Sequence, residues 1–201
     1  MDEINRYAIF ALLDFTSSRW VRHEQYRLAR ITQNYMAFCF PVHITIRGRF
    51  LATPERVAKA FREINPSVAK LPATISLNQP IYLQPDLAWL EVVPENQGYQ
   101  TLRSLQEYFE DRVSGYAIAD EVPDSHKHAG FRPHITLGWG VTPAVFQKFL
   151  GFHVPILPPS CIESLVLVRY PLHWPLTEAV KIERIVPFHH IKPDDIISKV
   201  E

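Results

Sequence analysis

Two cysteines, seven glycines, no excess of either charge and no long apolar run set the first limits on this 201-residue chain. Cys39 and Cys161 are too few for a disulfide framework or a thiolate metal site, and they read as free, partly buried thiols suited to a reducing compartment. The 21 basic residues are balanced by 21 acidic ones. No overall field therefore draws the chain to a long polyanion, and any phosphate recognition has to be local. The apolar stretch over 7–13 is too short to cross a bilayer, and Asp2 and Glu3 stand where a signal peptide would be basic. A cytoplasmic protein with no leader, anchor or membrane contact is expected. No Gly/Ser linker or low-complexity run offers a place to cut, so residues 1–201 are read as a single domain.

Proline, at 17 residues, is what the chain has in plenty. It fixes φ and removes a ladder donor, so it punctuates turns and strand ends. Between these marks, residues 7–14 read as a buried strand. Thr16, Ser17 and Ser18 are expected to cap a helix over about 18–30, with Arg19, Arg22, Arg27 and Arg30 on a solvated face. Thr53-Pro54 is a helix start, and Val57, Phe61 and Ile64 recur at helical spacing to about Asn65. Strands are predicted over 73–77 and 88–93. A helix over 97–113 is marked by Leu102, Leu105, Phe109 and Val113.

The chain then repeats itself. Phe40-Pro41-Val42-His43-Ile44-Thr45-Ile46 is echoed by Phe131-Arg132-Pro133-His134-Ile135-Thr136-Leu137. Each copy is followed by a Thr-Pro helix start, Thr53-Pro54 and Thr142-Pro143. Each later closes a strand-rich stretch, at Val92-Val93-Pro94 and Ile185-Val186-Pro187. A fixed order of strand, helix and two strands, met twice, is the mark of a duplicated α+β unit.

Alternate side chains share a face of a strand, so His43, Thr45 and Arg47 are expected on one side of theirs, with Ile44 and Ile46 opposite. His134 and Thr136 stand together in the second copy, opposite Ile135 and Leu137. Two such polar faces meeting across a cleft supply what phosphodiester cleavage needs. One group removes a proton from the attacking oxygen and another protonates the leaving oxygen, and histidine titrates near neutrality in either role. Threonine hydroxyls can hold the phosphoryl oxygens without adding charge. This scheme requires no metal or other cofactor.

The two tetrads, His43-Ile44-Thr45-Ile46 and His134-Ile135-Thr136-Leu137, resemble the signature of the two-histidine (2H) phosphoesterase superfamily, nearest its LigT-like, 2'-5' RNA ligase or cyclic phosphodiesterase branch. The resemblance spans roughly residues 7–188 and implies a bilobal α+β fold. Two antiparallel sheets related by a pseudo-twofold axis, with outer helices, would surround a central cleft. It implies acid and base roles for His43 and His134, phosphate binding by Thr45 and Thr136, and 2',3'-cyclic phosphates, ADP-ribose cyclic phosphates or 2'-5' and 3'-5' linked oligonucleotides as substrates. Arg47, where many members carry an apolar residue, is expected to add a charged contact to the cleft.

Further substrate contacts are expected from Arg132 and Tyr170. Phe40 and Phe131, three residues ahead of the histidines, are placed to stack on a base, although core packing competes for both. Arg169 is a weaker candidate, since a strand-end arginine is more often solvated. Loops over 31–40 and 119–130 are expected to frame the cleft. His126-Lys127-His128 has no carboxylate or cysteine set beside it and reads as a solvated loop rather than a metal site. His23, His153, His173 and the His189-His190 pair read as ordinary surface or core residues. The leading expectation is a monomeric phosphodiesterase acting on a nucleotide or RNA terminus without an obligatory protein partner. A noncatalytic nucleotide or RNA-end binding module, a reversible 2'-5' RNA ligase and, last, a metallohydrolase are the alternatives.

Overall fold

The computed structural model describes residues 3–62, 71–121, 130–152, 158–170 and 180–186. Among them the order is β1 (Asn5–Leu13), α1 (Phe15–Thr32), a 3-10 turn (Met36–Cys39), β2 (His43–Ala52), α2 (Pro54–Arg62), β3 (Ala73–Ile75), β4 (Ile81–Leu83), β5 (Leu87–Glu91), α3 (Gln97–Ser114), β6 (Ala119–Asp120), β7 (His134–Trp139), α4 (Pro143–Phe152), β8 (Ser160–Tyr170) and β9 (Lys181–Val186). A larger antiparallel sheet runs β3-β8-β1-β2-β6 with β9 also on β8, and a smaller one runs β4-β5-β7.

β1 is apolar on both faces because both are covered. Tyr7, Ile9, Ala11 and Leu13 enter the main core, while Ala8 and Phe10 enter a second cluster with Phe40, Val166, Val168 and Val180. That second cluster floors the cleft. The helices exchange sides. α1 follows a strand of the larger sheet yet packs on β7 and α4, while α3 follows β5 of the smaller sheet and packs on β2, β3 and α2. Each lobe is thus assembled from both halves of the chain, and one continuous core serves the two.

The repeat has a different phase from the one its motifs suggest. β2 takes β1 as ladder partner and β7 takes β5, so the structural unit is strand, helix, tetrad strand, helix, beginning one strand and one helix ahead of each tetrad. Val92-Val93-Pro94 follows the first strand of the second unit rather than closing the first.

The local signals mostly act where expected. Thr53 Oγ1 accepts from Arg56 N at the start of α2, and Thr142 Oγ1 from Val145 N at the start of α4. The first helix is the exception, since it begins at Phe15 and its cap is Asp14, whose carboxylate accepts from the amides of Thr16 and Ser17 and from Ser17 Oγ. An acceptor two residues upstream of the first hydroxyl reaches two orphan amides at once, which the hydroxyls at 16–18 do not. α1 stops where Gln33 turns left-handed at φ 58°. The strand expected over 73–77 is shorter, with Leu77 making only a bridge to Val92. Beside it, Gly98 admits α3 so closely that a Cβ there would collide with the Thr74 carbonyl oxygen. Ile64 and Asn65 lie outside the described residues.

Candidate active site

His43 opens β2 and His134 opens β7, and the two strands pack near each other across the cleft. The rings are held in the same way. His43 Nδ1 donates to the Pro41 carbonyl at 2.8 Å, and His134 Nδ1 donates to the Arg132 carbonyl at 2.7 Å. A carbonyl only accepts, so each Nδ1 carries the proton and Nε2 carries the lone pair of the neutral ring. Each ring also lies on an aromatic from the neighbouring strand. Phe10 stacks on His43 with centroids 3.6 Å apart, and Trp89 lies 3.9 Å from His134. In the ladders Phe10 is opposite Thr45 and Trp89 is opposite Thr136. One aromatic thus supports the histidine beside each threonine.

A recess of about 440 Å³ is lined by Phe40, His43, Thr45, Arg49, Thr136, Trp139 and Tyr170. A neighbouring recess of about 550 Å³ shares Thr45, Arg49 and Tyr170 and adds His134, Trp89, Phe131 and Arg132. Both tetrads therefore open on one continuous hollow. Burial pushes the His43 pKa down to about 4, with the nearby His134 and Arg22 charges acting in the same direction and the bond to the Pro41 carbonyl against it. His43 is neutral at physiological pH. Burial also raises the Tyr170 phenol well above its ordinary value, so it stays protonated.

Arg47 does not reach the hollow. Phe10 faces Thr45 and Ile9 faces Arg47 in the β1–β2 ladder, so Ile46 is an extra residue at a bulge, and a second irregularity follows before Phe50 meets Tyr7. A bulge shifts the alternation by one. Arg47 consequently joins Ile9 on the core side, where it is almost wholly buried and pairs with Glu110 at 3.0 Å and Asp120 at 2.6 Å. Arg49, two residues on, lines the cleft in its place. A count of two per strand fails at a bulge, and the sequence carries no clear signal for one here.

The other expected contacts separate. Phe40 lines the smaller recess but is buried in the second core cluster, and Phe131, buried at the edge of the main core, lines the larger one. Arg132 lies over Trp89 and pairs with Glu91 at 2.6 Å, which holds its guanidinium at the rim of the His134 side. Tyr170 packs edge-on to Phe10 and near Phe40. Arg169 instead pairs with Glu183 at 2.6 Å. Phe10, Trp89, Arg49 and Trp139 stand at the site although no sequence motif marks them. Phe10 and Trp89 are aromatics of the strands that pair with the tetrad strands, a signal visible once the repeat is started at β1 and β5, although β1 also carries Tyr7.

The basic face expected on α1 is only partly solvated. Arg22 donates to the Ala37 and Phe40 carbonyls at 3.2 and 2.7 Å and so pins the 31–40 segment, of which Phe40 reaches the cleft. Arg27 pairs with Glu24 and lies over Phe149. The exposed His23 touches Glu24. Cys39 and Cys161 are half-buried thiols outside any disulfide. Gly130 and Glu121 line the larger recess, while 122–129, with His126 and His128, lie outside the described residues, as do His153, His173, His189 and His190. Among the described residues no three His, Cys, Asp or Glu side chains are grouped to hold a metal, and no helix is long and apolar enough to cross a membrane.

Two antiparallel sheets in an α+β arrangement, each presenting a His-x-Thr strand to a shared cleft, define a two-histidine phosphoesterase architecture. The chain matches the family model of the 2'-5' RNA ligase superfamily over residues 15–184, and it belongs to that superfamily. Among solved structures it is similar to E. coli LigT, in the apo form with a TM-score of 0.58 at 16% identity and in a complex with 3'-AMP with 0.56 at 15%. The likeness covers 91% of this chain and 96% and 97% of those chains. A structure described as a phosphoesterase is similar at a TM-score of 0.51 and 13% identity, over 90% of this chain and 94% of that one. At such identities the likeness is one of fold. No curated protein sequence matches the chain.

Proposed function

We propose that this protein is a metal-independent phosphodiesterase that hydrolyses 2',3'-cyclic phosphates or related RNA-type phosphodiesters. The observation that carries the reading is the duplicated histidine setting: in both tetrads Nδ1–H is tied to the carbonyl two residues back, so Nε2 is the nitrogen left to act. His43, neutral well below physiological pH, is the base. Its Nε2 takes a proton from water as the oxygen attacks phosphorus. The bond from phosphorus to one ribose oxygen breaks, and protonated His134 gives its proton to that oxygen. An anionic phosphate beside His43 favours its protonated form, which brings its pKa up toward the working range once substrate is bound.

Thr45 and Thr136, lining one recess with His43, donate hydroxyl hydrogen bonds to the non-bridging oxygens. LigT complexes with 3'-AMP and with phosphate support a nucleotide phosphate as ligand of this cleft. On this reading residues 1–201 work as one domain, as a cytoplasmic monomer whose partner is a nucleotide or an RNA terminus. The test is turnover of a panel of nucleoside 2',3'-cyclic phosphates in EDTA. Turnover in the wild type, reduced at least about a hundredfold by His43→Ala and by His134→Ala, is expected. Undiminished rates in both variants, or rates abolished by chelation, would sink it.

A further inference from the structure

We propose that Arg22 and Gln25 of α1 are positioning residues, a polar brace that holds the ring of His43 in place against the strand of the second tetrad. The inference rests on the phosphodiesterase reading and adds to it two residues that act through others. Among the described residues β2 and β7 lie in different sheets, so no ladder sets the distance between the tetrads. The tie runs through α1 instead. Arg22 and Gln25 stand three residues apart on one face of that helix, and Arg22 Nη1 donates to Gln25 Oε1 at 2.9 Å. Arg22 Nη2 donates to the Phe40 carbonyl at 2.7 Å, one residue ahead of the Pro41 carbonyl that takes the proton of His43 Nδ1. Gln25 Nε2 donates to the carbonyl of Thr136 at 2.8 Å. One line of hydrogen bonds thus joins the approach to the first tetrad with the second tetrad itself.

The residue types suit that task. A glutamine amide both accepts and donates, so Gln25 takes a bond from Arg22 and gives one to Thr136. The guanidinium fork reaches the Phe40 carbonyl with one nitrogen and Gln25 with the other, which a point charge does not do with the same geometry. Gln25 is only 4% exposed, and it lines a small recess with Phe40, Pro41, His43, Thr136 and Trp139, where little water competes for these bonds. The Arg22 charge also lies close enough to His43 to favour its neutral ring, the form a base needs. Misplacing a reacting group by about 1 Å costs roughly a hundredfold in rate, so loss of the brace falls on the chemical step more than on binding.

The experiment measures kcat and KM separately for a nucleoside 2',3'-cyclic phosphate in wild type, Arg22→Met, Arg22→Lys, Gln25→Met and the double Met variant, well below the melting temperature of each. A kcat lower by about ten- to a hundredfold in each Met variant, with KM within about threefold of wild type, is expected. The double variant should be no worse than the weaker single one, because both break the same line of bonds. Arg22→Lys, which keeps the charge, should recover part of the rate. Gln25→Met is close in shape to the native residue and carries the test if Arg22→Met does not fold. An unchanged kcat in either Met variant, or losses that multiply in the double variant, overturns the inference. Nitrogen NMR of the imidazole rings needs no substrate and so separates it from the catalytic reading. A His43 ring held as the Nδ1–H tautomer in wild type and released to mixed tautomers in the Met variants supports the brace even where no cyclic phosphate is turned over. A His43 ring unchanged in both Met variants overturns it.

Discussion

β2 and β7 carry matching His-x-Thr tetrads, each with a bulge at its fourth residue, yet the residue that follows is Arg47 in one and Gly138 in the other. In the β5–β7 ladder Ala88 faces Gly138 and Trp89 faces Thr136, so Leu137 is the extra residue, as Ile46 is in β2. Behind Arg47, α3 supplies Glu110; behind Gly138, α1 supplies Leu28, whose Cδ2 would stand 3.1 Å from a Cβ there. Leu28 and Glu110 occupy the same position counted from Phe15 and Gln97, the first residues of their helices. One lobe fills this contact with a buried ion pair and the other with a close apolar approach. The comparison teaches that the frame fixes the place where helix and strand meet, while the chemistry there is chosen pairwise.

The largest effect is expected from Arg47→Ala, which strands Glu110 and Asp120 without their cation. A loss of about 3–5 kcal/mol in stability, read by denaturant unfolding, is the scale of a broken buried pair. Copying the other lobe, with Arg47→Gly and Glu110→Leu together, should recover at least half of that loss. A double variant no better than the single one breaks the equivalence. In the opposite direction, Gly138→Val forces side-chain atoms against Leu28 and should cost about 1–3 kcal/mol; a neutral result would show that α1 is free to withdraw.

The histidines sharpen the comparison through pH. His43 titrates near 4 when folded and at its ordinary value of 6.5 when unfolded. The unfolded chain therefore binds the extra proton between these values. Its contribution to stability is complete above pH 6.5 and is lost as pH falls toward 4, by at most about tenfold in the unfolding constant per pH unit. Thermal unfolding of His43→Gln should lack that part of the acid sensitivity, and an unchanged profile would remove burial as the cause. The smallest effects belong to the matched caps. Thr53→Ala and Thr142→Ala should each cost about 1 kcal/mol, and clearly unequal costs would set the two helix starts apart.

How much of this was legible varied with the range of the interaction. The histidine and threonine pairs are readable because the tetrads recur, and the Thr-Pro helix starts because a cap acts on amides two or three residues away. Asp14 is not distinguishable as the cap of the first helix from sequence, since several acceptors in a row leave the choice to backbone geometry. Arg47 was misplaced by strand parity, which assumes that every residue advances the alternation. Arg49 and Trp139 carry no local signal, because their place at the cleft depends on which face the bulge leaves them.

By itself the sequence determined that a duplicated His-Thr strand sits in a mixed α+β chain, with the neighbouring helices and the apolar strand β1 already written in period and caps. Those properties are local, and they follow from spacing along one strand or one helix turn. Only the tertiary structure decided that α1 and α3 cross to the opposite lobes, that Phe10 and Trp89 support the two rings, and that Arg47 is buried while Arg49 faces the cleft. These depend on which strands share a ladder and where a bulge interrupts it, and that is settled by burying one common core rather than by any residue's own preference.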